Sequence, residues 1–319
     1  RRVGAAPDRE SPVADGARHP KKSRGLLREA PSVRFAWIAA ERAEYTVQDC
    51  CRALAISPSG FYAWQARPES AHAARDRHLL VLIRASHERS RRAYGRPRIQ
   101  RDLRDQGEPV SEKRVARLMC ADGIRARARK RFRTTTMSDH DQPVAANVLD
   151  RQFVAAQPNQ RWVGDTTEFV IGTSAKLYLA AILDLYSRFV VGWAISAVND
   201  RHLTLKALDM AVKRRCPDPG LLHHSDQGCT YASEDYRTRL EQHGITCSMS
   251  RRGNCYDNAV MESWFSTVKS EEGERFESYA HAKEALFDYI EVFYNQRRRH
   301  STLGQISPAA FERRAAQAA

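Results

Sequence analysis

Trp162-Val163-Gly164-Asp165-Thr166-Thr167-Glu168-Phe169-Val170-Ile171 reads as a strand, because Val, Ile, Phe, Thr and Trp dominate it and fit a pleated, half-buried surface. One residue in it needs a reason. An unpaired carboxylate inside an otherwise apolar strand is costly to bury, and Asp165 sits there all the same. Two more strand-like runs, Leu177 to Tyr186 and Arg188 to Ser196, follow after short turns and predict an antiparallel meander. Beyond them a helix from about Leu203 to Arg215, a short strand Leu221 to His224, a helix from Ser233 to His243 and a strand Ile245 to Met249 alternate. Strands first and alternation afterwards indicate an α/β domain with a mixed sheet. Two long helices, near Ala259 to Ser270 and Ala280 to Gln296, complete the pattern.

Two further acids belong with Asp165. Asp226 lies just past the short strand, in His223-His224-Ser225-Asp226-Gln227-Gly228, where Gly228 lets the chain turn away. Ligands of α/β sheets bind at such strand ends. Glu262 lies on the helix that follows Asn254-Cys255-Tyr256-Asp257-Asn258, and at 100° per residue it shares a face with Asn258 and Lys269. Three carboxylates from two strands and a helix form a hard-oxygen set suited to Mg²⁺, which favours carboxylates, waters and phosphates. Two such ions, about 3.5 to 4 Å apart, serve an in-line displacement at phosphorus. His223 and His224 point to opposite faces of their strand, so at most one can join this site and the other is a packing residue.

Upstream, the chain changes character. Residues 1–33 show no periodicity and read as a disordered or variable extension. Residues 34–70 read as a helix-turn-helix: Val47, Cys51 and Leu54 fall on one helical face, Ser57 is a good N-cap, and Pro58 opens a second helix ending near Trp64. A second unit of that kind spans 71–133, with helices from about Arg98 to Gln106 and Glu112 to Ala121 and a stripe of Val115, Leu118 and Met119. Arg114 and Arg117 then face outward, and Arg129, Lys130 and Arg131 follow in a dense basic run suited to phosphate. Residues 134–158 are turn-rich and read as a linker, 159–275 as the catalytic core, and 276–319 as a C-terminal helix and basic tail that includes Arg297 and Arg298.

The bulk numbers agree with a polyanion partner. The formal charge is +14 over 319 residues, and nucleic acid is the commonest ligand for such a surface. Seven cysteines form neither a Cys-x-x-Cys pair nor a zinc-spaced group, and read as packing residues of a protein in a reducing cytoplasm. No apolar run approaches the roughly 20 residues of a membrane span. The absence of a Gly-rich phosphate loop, a Gly-x-Ser-x-Gly turn and a His-Glu-x-x-His argues against nucleotide hydrolysis, acyl transfer and zinc proteolysis.

With 35 residues between Asp226 and Glu262 and Lys269 seven positions on, the chain resembles the DDE recombinases of bacterial insertion sequences and retroviral integrases. It is most similar to the downstream-frame (OrfB-type) transposase subunit of two-frame insertion sequences. The stretches Ser57 to Trp64, Tyr94-Gly-Arg-Pro-Arg98, His224 to Gly228, Gly253 to Ala259 and Tyr294-Asn-Gln-Arg-Arg-Arg-His-Ser-Thr-Leu-Gly304 carry the match, over about residues 34 to 312. The resemblance implies a ribonuclease-H-like catalytic core, a mixed five-stranded sheet with flanking helices, preceded by all-α helix-turn-helix DNA-binding units. It implies Asp165, Asp226 and Glu262 as catalytic metal ligands for Mg²⁺, two ions per active site and replaceable by Mn²⁺.

It further implies Lys269 at the reactive DNA end, with Asn258 orienting Glu262 or a phosphate. The implied partners are double-stranded DNA (element ends and target), a homo-oligomer on DNA, and an upstream-frame (OrfA-type) protein or fusion. No membrane is involved, and the implied location is the bacterial cytoplasm, at the nucleoid. Thr166 departs from the family in standing where an aliphatic residue is usual. The implied activity is metal-dependent 3′-end cleavage and strand transfer. Two alternatives stay open at this point: an inactive element-derived DNA-binding regulator, and a ribonuclease-H-type nuclease that cuts without joining.

Overall fold

Side-chain caps decide where the N-terminal helices begin. The Thr46 hydroxyl accepts the Asp49 N–H at 3.2 Å, Ser57 accepts that of Gly60 at 2.9 Å, and Ser111 accepts that of Arg114 at 3.2 Å, each satisfying a donor the helix itself leaves orphaned. The computed structural model describes residues 26–127, 143–252 and 254–318. It divides into two units between Asp76 and Arg77.

Among its described residues the first unit packs α1 (Pro31–Glu41), α2 (Val47–Ala53) and α3 (Pro58–Ala66) together. Ile38, Cys50, Cys51, Leu54 and Phe61 form its core. Helix α1 begins at Pro31, inside the stretch read as an extension, and runs into the 34–70 unit, to which it adds a helix, Ile38 and an Arg34 guanidinium that donates to the Leu54 carbonyl at 3.0 Å.

The second unit begins within α4 (Ala71–Arg89), followed by α5 (Arg96–Asp105) and α6 (Glu112–Ala121). Val115, Leu118 and Met119 are buried as their spacing predicts. Residues 143–158 carry no regular element but are pinned: Leu149 is buried, and Ser248 Oγ accepts the N–H groups of Val148 and Leu149.

The sheet contains β1 (Arg161–Ile171), β2 (Ala175–Asp184), β3 (Val190–Ser196), β4 (Leu222–Ser225) and β5 (Thr246–Met249), in the order β3-β2-β1-β4-β5. The first three form the expected antiparallel meander, and β4 and β5 run parallel to β1. A sixth strand, β6 (Arg275–Phe276), pairs with the far end of β1 and adds to the predicted five. Helix α7 (Arg201–Arg215) lies so close on β3 that a β-carbon at Gly192 would overlap the Ala207 carbonyl. Helices α8 (Cys229–Ala232) and α9 (Glu234–Gln242) share that side of the sheet.

The other side carries α10 (Ala259–Glu271), entered through a 3-10 turn at Cys255–Asn258, and α11 (Tyr279–Phe287). The long helix predicted to reach Gln296 changes at Asp288–Tyr294 into π-helical turns, which bury Tyr289, Ile290, Phe293 and Tyr294. A last helix, α12 (Pro308–Ala318), is tied down by Glu312, which takes a bidentate pair from Arg215 at 2.7 and 2.8 Å. Cys50 and Cys51 are packing residues, but Cys120, Cys216 and Cys229 are exposed, so the packing expectation holds for only part of the set.

Candidate active site

Alternation along β1 divides its side chains between the two faces of the sheet. Val163 and Phe169 join Met261, Trp264 and Val268 of α10 in one core, so Asp165, of the same parity, points toward α10. On β4 the partner of Val163 is His224. Two residues further along both strands stand Asp165 and Asp226, which the parallel register therefore sets side by side at the strand end. The Gly228 N–H donates to Asp226 Oδ1 at 3.0 Å and holds that turn. Glu262 is half-buried in the first turn of α10, where an acid is favoured by the helix dipole.

Electrostatics ties the three together. Burial, and then the Asp226 charge, hold the Asp165 carboxyl well above the usual carboxylate range; Glu262 adds to the effect, while the Thr166 N–H at 2.7 Å and Lys269 oppose it. Burial also raises Glu262. Burial lowers the Lys269 ammonium, although Glu274, Glu168 and Asp165 counter it, and its Nζ lies 5.5 Å from the Phe169 ring centroid. Asn258 is buried; its Nδ2 donates to the Gly164 carbonyl at 3.3 Å and so joins α10 to β1 beside Asp165.

These residues fit a divalent cation. Asp226 and Glu262 both raise the proton affinity of Asp165, and a crowd of hard-oxygen donors of that kind is what such an ion neutralises. Among the described residues no three acids, histidines or cysteines close into a ready-made cage. Mg²⁺ is commonly held by one or two carboxylates and completes its shell with water and phosphate.

Both histidines are neutral packing groups. Burial lowers His223 to about 3 and His224 to about 4. His223 lies on the α9 side, 3.2 Å from Tyr236 Oη, and a β-carbon on Gly164 would come within 2.9 Å of its Nε2. His224 is engaged by Ser248 and Ser250 at 2.9 and 3.2 Å.

Two residues escape sequence reasoning. Tyr231 is buried, its hydroxyl 3.3 Å from Thr166 Oγ1. Asp257 is fully buried and accepts Arg251, Arg151 and Asn147, the two arginines holding it well below the usual carboxylate range. Only its place beside Asn258 and Glu262 hinted at this.

The expected DNA contacts fare unequally. Arg117 and Arg297 are exposed and Arg114 is half-buried. Arg298 is 3% exposed and spends its guanidinium on Glu271, so the phosphate contact expected of it is replaced by a core ion pair. Asn258, expected to orient Glu262 or a phosphate, is buried and spends its amide on the Gly164 carbonyl, as a helix-to-strand tie. Arg129, Lys130 and Arg131 lie outside the described residues.

Comparison with known proteins shows the family. Residues 155–255 and 243–308 match models described as Integrase core domain, and residues 74–132 match one described as HTH-like domain. The chain is 38% identical over 284 residues to Transposase InsF for insertion sequence IS3A of Escherichia coli K12, covering 88% of this chain and 98% of that protein. The chain belongs to the insertion-sequence transposases. It is also 43% identical over 263 residues to the Insertion element IS600 uncharacterized 31 kDa protein of Shigella sonnei, covering 82% of this chain and 96% of that one. Among solved structures, the HTLV-2 integrase catalytic core domain in complex with magnesium overlaps 49% of this transposase and 98% of that chain at 16% identity, with a TM-score of 0.39. Among the described residues, no helix is long and apolar enough to cross a membrane.

Proposed function

We propose that this transposase cuts a phosphodiester at the element end to free a 3′-hydroxyl and then directs that hydroxyl at a second DNA strand. The observation that carries the reading is the placement of Asp165 on β1 next to the end of β4, where Asp226 follows, with Glu262 in the first turn of the helix packed on that face. When bound there, Mg²⁺, two ions in this reading, supplies Lewis acidity and alignment for the attacking and leaving oxygens. The three carboxylates bind and orient; none acts as a nucleophile, and no covalent protein intermediate is needed. Lys269 offers a cation to a phosphate on the same face of α10, and the rate comes from positioning and charge neutralisation.

The substrate is double-stranded DNA, gripped in part by Arg114, Arg117 and Arg297, with the 71–133 unit presenting the first two. A homo-oligomer on DNA, an OrfA-type partner for end recognition, and work at the nucleoid in the cytoplasm belong to the same reading. The test is a strand-transfer assay on DNA carrying both element ends, with Mg²⁺ supplied or withheld. Metal-dependent joined product is expected. Cut but unjoined ends would instead identify a nuclease, and binding without cleavage a regulator.

A further inference from the structure

The motif Tyr294-Asn-Gln-Arg-Arg-Arg-His300 looks like a DNA-binding basic tail, yet three of its side chains turn inward to three different elements. Asn295 brackets Val190 at the start of β3, accepting its N–H at 2.9 Å and donating to its carbonyl at 3.2 Å. Arg299 donates to Asp102 at 3.1 Å and reaches Asp105 at 2.8 Å, both on α5. Arg298 reaches the last turn of α10: its Nε and Nη2 donate to Glu271 at 2.7 and 2.6 Å, and the Tyr289 hydroxyl donates to the same carboxylate at 2.8 Å. Arg127 donates to the Glu271 carbonyl, and Arg91 pairs with the neighbouring Glu272.

A buried ion pair is poor evidence of net stability, because desolvating both charges offsets most of their attraction. What a bidentate guanidinium–carboxylate pair supplies is geometry. Glu271 stands nine residues beyond Glu262, so at 100° per residue the two project from opposite sides of α10, while Lys269 stays on the Glu262 face. The helix is therefore gripped from behind.

We propose that the Arg298–Glu271 pair, completed by Tyr289, is a positioning device that fixes the rotation and depth of α10 and so sets Glu262 and Lys269 against Asp165. Arg298 touches neither substrate nor metal in this account and acts only through the helix. The inference rests on Glu262 holding a cation, as proposed above.

The test uses the full chain. Arg298→Lys keeps the charge and loses the two-pronged fork; Tyr289→Phe removes one hydrogen bond and little else; Arg299→Lys is the matched control, since it loosens the neighbouring ion pairs to α5. For each, the Mg²⁺ midpoint is read twice: from the metal-induced rise in melting temperature of DNA-free protein, and from strand transfer. Groups hydrogen-bonded to metal ligands typically change metal affinity by 10–100-fold; Arg298 acts one step further out, through α10, so Arg298→Lys should raise both midpoints by about tenfold, the low end of that range. Tyr289→Phe should move them the same way by a smaller factor. Arg299→Lys should leave them in place even where it lowers the melting temperature.

Midpoints within twofold of wild type in both Arg298→Lys and Tyr289→Phe would overturn the proposal, as would an equal shift in Arg299→Lys. Should Arg298→Lys fail to fold, Tyr289→Phe decides alone. Glu262→Gln separates the layers: if it leaves the Mg²⁺ response intact, the site reading itself fails. If it abolishes the response while the Arg298 and Tyr289 variants leave it unmoved, only this inference falls.

Discussion

Replacing Asp165 with Asn removes one negative charge and keeps Oδ1, which accepts the Thr166 N–H. In metal-free protein this change should stabilise the fold. Two unit charges on neighbouring strands, about 5 Å apart, repel by roughly 3 kcal/mol at an effective dielectric near 20. Asp165 is only partly buried, so water screens some of this and about 1–2 kcal/mol remains. For a domain of this size, that is a rise in melting temperature of roughly 2–8 °C.

The pH dependence follows from the direction of the shift. The Asp165 carboxyl is raised in the folded protein, so the native state holds that proton more tightly than the unfolded chain does. Its contribution to stability is full below the unfolded pKa of about 3.9 and is lost as pH climbs through the raised value. The Asn variant suffers no such loss. Its advantage is therefore largest at neutral pH and fades on acidification toward about pH 4. Mg²⁺ should reverse the order, because a ligand at 100 times its Kd stabilises wild type by about 2.7 kcal/mol and has little to bind in the variant. Thermal unfolding in EDTA and in excess Mg²⁺ reads all of this. A variant that melts at or below wild type in EDTA at neutral pH, or that still gains the full Mg²⁺ shift, would refute the reasoning.

Two smaller predictions concern the walls of the site and its DNA face. Gly164→Ala places a β-carbon 2.9 Å from His223 Nε2 and 3.6 Å from Ile182, and His223 is wedged against Tyr236; overpacking of this kind should cost about 1–3 kcal/mol in urea unfolding, and an unchanged midpoint would mean that His223 moves freely. Arg117→Ala should flatten the dependence of log affinity for duplex DNA on log salt by about one unit, as for one lost phosphate contact. Arg298→Lys should leave that slope alone. A slope untouched in Arg117→Ala would take this residue off the DNA face.

Local chemistry was legible and tertiary pairing was not. Ser57 with Pro58 marks a helix start because capping is decided within four residues, and the β-branched runs mark β1 to β3 because strand preference is a property of side-chain shape. The three acids of the proposed site drew notice through their spacing. Helix α4 escaped because its apolar residues stand in one run, Leu79 to Ile83, rather than recurring at helical spacing along its length; Leu79 and Ile83 are the buried ones. Strand β6 is two residues long and exists through its partner Val170-Ile171, which no local pattern announces. The fate of Arg298 depends on Glu271, 27 residues away on another helix. A run of basic residues looks the same whether its partner is a phosphate or a buried carboxylate.

That last ambiguity bears on how the acids proposed as catalytic can be told from structural ones. Elsewhere in this protein a sequestered acid is answered by nearby donors: Asp257 by Arg151 and Arg251, Glu271 by Arg298 and Tyr289, Glu312 by Arg215 and Ser187, and Asp184 by the N–H groups of Asn159 and Tyr186. Asp165 has the Thr166 N–H and a distant Lys269, set against two like charges. The chain has arginines enough to neutralise acids in its core, and here it presents more acids instead. An arrangement of that kind is unfavourable in isolation and becomes favourable when a small, highly charged cation joins it. The same logic explains why α10 is held by its far end: a helix carrying Glu262 toward Asp165 and Asp226 is repelled by them until a cation arrives, and the Arg298–Glu271 grip opposes that repulsion.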